Sequence, residues 1–268
     1  MHLQEQHRDL QGLPVAKYHG KWPFVRVLGY QEFCSSMFSL LNLVAHVVGY
    51  RRLNNVCQQL NEISKEHGYP YLYLIAVSAL FNINTWFWSW MFHMRDTPFT
   101  EAMDYLSASS NLFMGCFLCI VRVGGLRRFN DVSAVGFPVA LVALAHMFYM
   151  LFVKFDYGWN MTVCLTCGIG QACVWMVWVI YVTHPIRWHF IFFFVGMHGI
   201  MLLEVLDFPP IMWGLVDTHS LWHLLTPPFV LLWYSFFEHD ARHNAERHLC
   251  VVLSPDHLGR NKGDNKDD

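Results

Sequence analysis

The sequence predicts an all-α membrane protein, a bundle of seven transmembrane helices. The chain is 54% hydrophobic and 16% aromatic, and only 14% of its residues are charged, against roughly 25% in an ordinary soluble domain. Seven apolar runs follow one another, each near the roughly 20 residues that cross a hydrocarbon core of about 30 Å. Lysine and arginine are divided unequally between the two sets of connecting loops. These three observations predict the fold class.

The predicted spans cover approximately residues 31–50, 70–93, 102–121, 132–153, 159–183, 188–206 and 218–237. The first is the least apolar, because polar side chains interrupt it at Ser35, Ser36, Ser39, Asn42 and His46. Residues 1–30 form a lumenal lead-in, and residues 238–268 form a cytosolic polar tail without regular structure. Since no loop is long enough for a separate domain, the chemistry must come from the helix bundle at 31–237.

The distribution of positive charge predicts the orientation. With the N-terminus outside the cytosol, 12 of the 18 lysines and arginines lie in cytosolic segments and 6 in lumenal ones, which is the usual bias. The N-terminus is therefore expected in the lumen and the C-terminus in the cytosol. Residues 1–14 lack the apolar stretch of a signal peptide, so either the first helix inserts in this sense unaided or the chain is truncated or alternatively started. The net charge of −2 carries no information about nucleic acid, but the lack of a basic stripe with interleaved aromatic residues predicts no nucleic-acid partner.

Five polar residues occur where an apolar helix should least favour them: Ser89, His93, Asp104, His219 and His223. Residues four apart share a helix face. Ser89 and His93 therefore lie on one face of their helix, and His219 and His223 lie on one face of theirs. The predicted topology places the end of the second span and the starts of the third and seventh at the lumenal side. All five side chains are therefore expected at one depth in the membrane.

Three histidines, a carboxylate and a hydroxyl are the groups of a metal-centred hydrolytic site. Catalytic zinc takes three protein ligands and one water, whose pKa falls to about 7. His93, His219 and His223 are the predicted ligands of Zn²⁺ or another divalent ion. Asp104 would hold or deprotonate the water, or orient a ligand imidazole, and Ser89 would donate to the oxyanion.

Other ionisable groups in the spans receive a structural interpretation. Isolated histidines are expected to pack or to hydrogen-bond between helices. Three acidic residues at the same end of the bundle, Glu32, Glu204 and Asp207, are expected to cap it, with a role beside the metal ligands as the alternative.

The chain resembles the CREST superfamily of seven-helix membrane hydrolases through Ser89-x3-His93, Asp104 and Asp217-Thr-His219-Ser-Leu-Trp-His223. Further motifs over residues 15–240 resemble its branch of GPI-anchor lipid-remodelling factors, the Per-one-like family. They are His19-Gly-Lys-Trp-Pro-Phe24, Gln31-Glu32, Phe92-His-x-Arg-Asp96, Glu101-x-x-Asp-Tyr105, Phe155-Asp-Tyr-Gly158 and Leu206-Asp-Phe-Pro-Pro210.

This resemblance implies removal of the unsaturated sn-2 fatty acid from the GPI lipid of anchored proteins, in the Golgi membrane or in the endoplasmic reticulum. It assigns metal ligation to His93, His219 and His223, and the accompanying polar roles to Ser89 and Asp104. The sequence departs from the family pattern in lacking the signal peptide and cysteine-rich segment, and in having Phe33 where proline is usual. The alternatives are a ceramidase with the same site and a non-catalytic seven-helix receptor with a structural metal.

Overall fold

Seven α-helices make up the computed structural model, which describes residues 15–18, 21–63, 68–206 and 208–252. In chain order they are α1 (Phe33–Ile63), α2 (Leu72–Met94), α3 (Pro98–Val123), α4 (Phe129–Phe148), α5 (Tyr157–Tyr181), α6 (Arg187–Leu206) and α7 (Thr218–Val252). A π-helical turn, Tyr149–Val153, extends α4. Residues 1–14, Asp207 and the end of the tail beyond Val252 lie outside the described residues.

The helical prediction is confirmed for every apolar run. By length and apolar composition, four of the described helices are candidates to cross a bilayer: Phe33–Glu62, Pro98–Val123, Phe129–Val153 and Tyr157–Tyr181. The chain is therefore a helical membrane protein. The count of seven spans and the orientation of the termini stay predictions.

Two helices are longer than predicted. α1 continues through the expected loop after residue 50, because Leu53, Val56 and Cys57 repeat at helical spacing and are buried. α7 continues to Val252, so the expectation of a tail without regular structure from residue 238 was wrong for its first part. There Ala241 continues the buried apolar face of α7 to which Phe237 belongs, four residues earlier.

Helix packing produces a ring. α1 packs between α2 and α7; α3 continues the ring from α2, and α5 and α6 close it back to α7. α4 contacts α3 from outside, and only His146 of its side chains is buried. The interior of the ring is therefore built by six helices, with α1, α2 and α7 side by side.

The apolar core fills the half of the bundle that contains the start of α2 and the end of α3. All six helices of the ring contribute to it, and aromatic rings of α5, α6 and α7 interlock there. The ring centroids of Phe190 and Phe236 are 3.8 Å apart, and those of Trp175 and Phe190 are 4.4 Å apart. α7 approaches its neighbours closely through two glycines. A Cβ at Gly49 would lie 2.2 Å from the Tyr234 ring, and one at Gly196 would lie 2.1 Å from the Phe229 ring.

The lead-in packs across the other half, at the end where α2 finishes and α3 begins. Lys21 forms an ion pair with Asp96 and lies 3.6 Å from Glu101. Burial opposes its charge, but the hydrogen bond and attraction of Asp96 outweigh this and raise the pKa of Lys21 above its ordinary value. Val25 N–H donates to the Gly214 carbonyl at 3.0 Å. The lead-in thus ties the α2–α3 loop to the loop before α7.

Candidate metal centre

Local sequence positions each histidine at a helix end. His93 occupies the last turn of α2, and the chain leaves the helix at Arg95. α7 starts immediately after Asp217, whose Oδ1 accepts the Ser220 N–H at 2.8 Å while its own N–H donates to Ser220 Oγ at 2.8 Å. This reciprocal cap satisfies two otherwise unpaired donors. It places His219 in the first turn of α7.

A proline in α7 explains a second fixed contact. Pro227 has no N–H, so the His223 carbonyl lacks its partner one turn later in the helix. Asn42 of α1 supplies the missing donor, with Nδ2 at 2.7 Å from that carbonyl oxygen. Pro227, which would weaken an isolated helix, therefore lets α1 bind α7 at the backbone of His223, a predicted ligand.

The three histidines converge on one point. His219 Nε2 lies 3.3 Å from His93 Nε2 and 2.8 Å from His223 Nε2. One ligand atom from each ring lies within 4.8 Å of the other two. A tetrahedral zinc with bonds of about 2.0–2.1 Å separates its nitrogens by about 3.3 Å. The donor set and its spacing therefore fit a divalent metal, and the prediction that these histidines form one cluster is confirmed.

The far nitrogens of two of these rings have hydrogen-bond acceptors. Glu32 Oε2 lies 2.7 Å from His93 Nδ1, and Ser39 Oγ lies 3.1 Å from His223 Nδ1. An imidazole that binds a metal through Nε2 carries its proton on Nδ1 and is held by the acceptor there. The Glu32 carboxylate, which only accepts, selects this tautomer for His93, and the Ser39 hydroxyl can accept from the same tautomer of His223. The expectation that Glu32 only caps the bundle was wrong; the Glu204 side chain and Asp207 lie outside the described residues.

Ser89 reaches the cluster indirectly, through Ser39. The two hydroxyl oxygens are 3.1 Å apart, and Ser39 Oγ is also 2.8 Å from the Ser35 carbonyl. When Ser39 donates to that carbonyl, its lone pairs accept from His223 Nδ1–H and from the Ser89 hydroxyl. When Ser39 instead donates to Ser89 Oγ, the Ser89 proton is released for another acceptor. The buried serine pair therefore has two proton arrangements.

Asp104 lies in the second turn of α3, half-buried, and its backbone carbonyl accepts the Ser107 hydroxyl at 2.9 Å. The N-terminus of α3 is held by a capping box of Thr97 and Thr100 beside the end of α2. The function of its carboxylate remains a prediction, as does the catalytic function of Ser89.

Aromatic side chains form one wall of the centre. Trp86 and Trp222 stack with ring centroids 5.7 Å apart, and Trp86 meets the His223 ring edge-on at 5.2 Å. His223 is almost fully buried, at 1% exposure, and His93 is at 3%. Such a wall excludes water from one side of the centre, where a low dielectric strengthens polar interactions.

Sequence reasoning missed the contribution of α1. The sequence predicts its polar residues only to make the first span less apolar, yet Ser35, Ser36, Ser39, Asn42 and His46 are all buried. They recur every three or four residues, starting from Glu32, and so form one stripe along the helix. That period was the available signal: a polar stripe on an otherwise apolar helix faces the interior of a bundle.

The Per1-like family matches residues 1–241. Over 237 residues the chain is 39% identical to "GPI-specific phospholipase A2-like PGAP3" of Danio rerio, covering 87% of this chain and 72% of that protein. The human protein of the same name is 35% identical over 243 residues, covering 90% and 71%. "Post-GPI attachment to proteins factor 3" of Drosophila melanogaster is 34% identical over 248 residues, covering 91% and 73%.

Proposed function

The chain belongs to the Per1-like family, and on this premise we propose that it is a metal-dependent lipid ester hydrolase of GPI-anchor remodelling. Its substrate would be the GPI lipid of anchored proteins, and its product the lyso lipid left after loss of the unsaturated sn-2 chain. The observation that carries the proposal is the convergence of His93, His219 and His223 inside an apolar bundle. The names of the relatives supply the substrate class.

Each residue of the centre would have a separate role in the reaction. Nε2 atoms of the three histidines would hold the ion, while Glu32 and Ser39 keep two of the rings in the required tautomer. A divalent metal held there lowers the pKa of water and polarises an ester carbonyl. Asp104 would accept the proton of the attacking water. When Ser39 donates to Ser89 Oγ, the Ser89 hydroxyl would be free to donate to the carbonyl oxygen.

The overall reaction is hydrolysis. Water adds to the sn-2 carbonyl carbon, the ester C–O bond breaks, and the glycerol oxygen leaves with a proton. The products are one fatty acid and one lyso-GPI. A membrane-embedded centre suits this reaction, because the ester of a GPI lipid lies at the level of the bilayer surface. The place of action is proposed as the Golgi membrane, with the endoplasmic reticulum as the alternative.

The test uses the full chain, purified in detergent and incubated separately with a GPI lipid and with ceramide. Fatty acid release from the GPI lipid is expected. His219→Ala should lower that release more than about 100-fold, since loss of a ligand exceeds the 10–100-fold typical of residues that only support one. His198→Ala is the control, because the His198 Nδ1 contacts the Phe194 carbonyl within α6, away from the centre.

Three outcomes would overturn the proposal. Release from ceramide alone would identify an amidase of the same architecture. Full activity in a well-expressed His219→Ala variant would favour a receptor with a structural metal. Equal losses in the His219→Ala and His198→Ala variants would show that the histidine cluster has no special part in the reaction.

A further inference from the structure

A second polar centre lies at the opposite end of the bundle from the histidines. Asp240 of α7 is fully buried and receives a bidentate pair from Arg122 of α3, with Nε at 2.7 Å from Oδ2. Tyr69 and Asn244 also donate to its carboxylate. His223 and Asp240 both lie on α7, 17 residues apart, so about 26 Å of helix separates them. The two centres are therefore separated by nearly the thickness of a hydrocarbon core, about 30 Å.

Two adjoining cavities open beside this buried pair. They are open to the surface, have volumes of about 540 and 380 Å³, and share Thr183, His184 and His243 in their linings. These volumes are within the range that holds small ligands. The basic side chains of the linings are Arg122, Arg127, Arg187, His184, His243 and Arg247. No acidic residue of the described chain lines either cavity.

The positive charge of this cavity pair exceeds what the protein neutralises. Asp240 compensates Arg122, but among the described residues no carboxylate pairs with Arg127 or Arg247. Arg127 donates only to the neutral Asn244 Oδ1, at 3.3 Å. Glu246 lies beside Arg247 in the chain and is outside the cavity lining. The site therefore has at least two unneutralised guanidinium groups at its rim.

A buried donor on the cavity wall shares its acceptor with other donors. His184 is 5% exposed, and its Nδ1 accepts the Ile186 N–H at 3.4 Å, so Nε2 carries the proton. That Nε2 lies 3.3 Å from Asp240 Oδ1. The same carboxylate already accepts from Arg122, Tyr69 and Asn244. A phosphate oxygen in the cavity would offer His184 a further acceptor.

The surroundings favour a lipid as the source of the phosphate. Tyr181 and Trp188 flank the cavities and are 82% and 66% exposed. Exposed Tyr and Trp at helix ends are typical of the level of lipid headgroups. Arg127 and Arg247 lie at that same level, and guanidinium groups bind phosphate through two parallel hydrogen bonds.

We propose that the two cavities form a binding site for a phosphate-bearing anion, occupied by the headgroup of an anionic phospholipid in the leaflet opposite the metal centre. The assignment is independent of the reaction at the histidines. The proposed site would give the arginines at this end of the bundle a ligand, in addition to their effect on the orientation of the protein in the membrane.

The test is a native mass spectrometry titration of the full chain in a neutral detergent, with dioctanoyl phosphatidic acid as the probe. Arg127→Gln/Arg247→Gln removes the two unneutralised charges from exposed positions and leaves the buried Arg122–Asp240 pair intact. Arg128→Gln/Arg242→Gln is the matched control. It removes two exposed charges from neighbouring positions that do not line the cavities.

Saturable binding is expected, weakened about tenfold or more in Arg127→Gln/Arg247→Gln and changed less than about twofold in the control. Equal losses in the two variants, no loss in either, or equally tight binding of dioctanoyl phosphatidylcholine would overturn the site. Displacement of the probe by millimolar inorganic phosphate would overturn the lipid assignment and identify a soluble phosphate as the ligand.

Discussion

Glu32 is the residue at the metal centre whose function differs most from its sequence interpretation. Its carboxylate lies 2.7 Å from His93 Nδ1, and the ring nitrogen on the other side faces the two remaining histidines. A carboxylate behind a ligand imidazole makes the ring more basic and holds its plane. Glu32 would therefore act on a bound metal through His93, as a positioning residue.

Glu32→Gln should lower the affinity of the chain for metal about 10–100-fold, because the neutral amide still accepts a hydrogen bond but no longer makes the ring more basic. Activity should recover when excess metal is added. Metal content after dialysis against graded chelator measures the effect. Glu62→Gln, an exposed change at the far end of the same helix, is the control. Unchanged metal affinity in Glu32→Gln would assign Glu32 a packing function only.

Ser39 and Ser89 are two buried serines whose hydroxyls are in contact, but we expect them to have different functions. Ser39→Ala removes the acceptor of the His223 Nδ1–H and should reduce bound metal about tenfold or more. Ser89→Ala leaves both acceptors of the histidine rings in place, so metal content should be retained while kcat falls about 100-fold. Metal analysis beside steady-state kinetics separates the two. Loss of metal in Ser89→Ala, or retention of metal in Ser39→Ala, would contradict these two functions.

At the level of helices, the position of the site depends on how α7 begins. Asp217 and Ser220 cap its N-terminus reciprocally, and His219 and His223 follow in its first two turns. Pro227 then frees the carbonyl that Asn42 binds. The helix is thus fixed on both sides of the histidine pair.

Asp217→Ala should lower stability by about 1 kcal/mol, the usual cost of a lost N-cap, and should also weaken metal binding by shifting His219. Asp156→Ala is a matched change, because Asp156 caps α5 through the Trp159 N–H at 3.1 Å, away from the histidines. Thermal unfolding and metal titration of both variants provide the comparison. Similar losses of stability with loss of metal affinity only in Asp217→Ala are expected. Equal metal affinity in both variants would contradict the claim that this cap positions the site.

For the molecule as a whole, the orientation in the membrane decides which leaflet each polar centre faces. The distribution of Lys and Arg predicts a lumenal N-terminus and a cytosolic C-terminus. Epitope tags at the two ends of the full chain test this in cells whose plasma membrane alone is permeabilised. The C-terminal tag should bind antibody at once, and the N-terminal tag only after internal membranes are opened. The opposite staining would place the histidines on the cytosolic side.

Sequence alone determined the helical class, the approximate position of every helix and the three histidines. Apolar runs of membrane-spanning length and an i,i+4 spacing are local properties of the chain, so they can be recognised without knowing the tertiary contacts. The ends of α1 and α7 could not be predicted in this way. Both helices continue beyond the expected boundaries because buried side chains on one face meet partners contributed by distant segments.

Tertiary structure decided which polar groups support the ligands. Glu32 and Ser39 belong to a polar stripe that is visible in the sequence, but they contact His93 and His223 only because α1 packs between α2 and α7. The same holds for Asp240, which lies 118 positions from Arg122 and meets it across the ring. Pairing between distant residues depends on how helices pack, and that packing is a property of the assembled bundle. The sequence therefore predicted the histidine cluster, and the fold determined which groups support its rings.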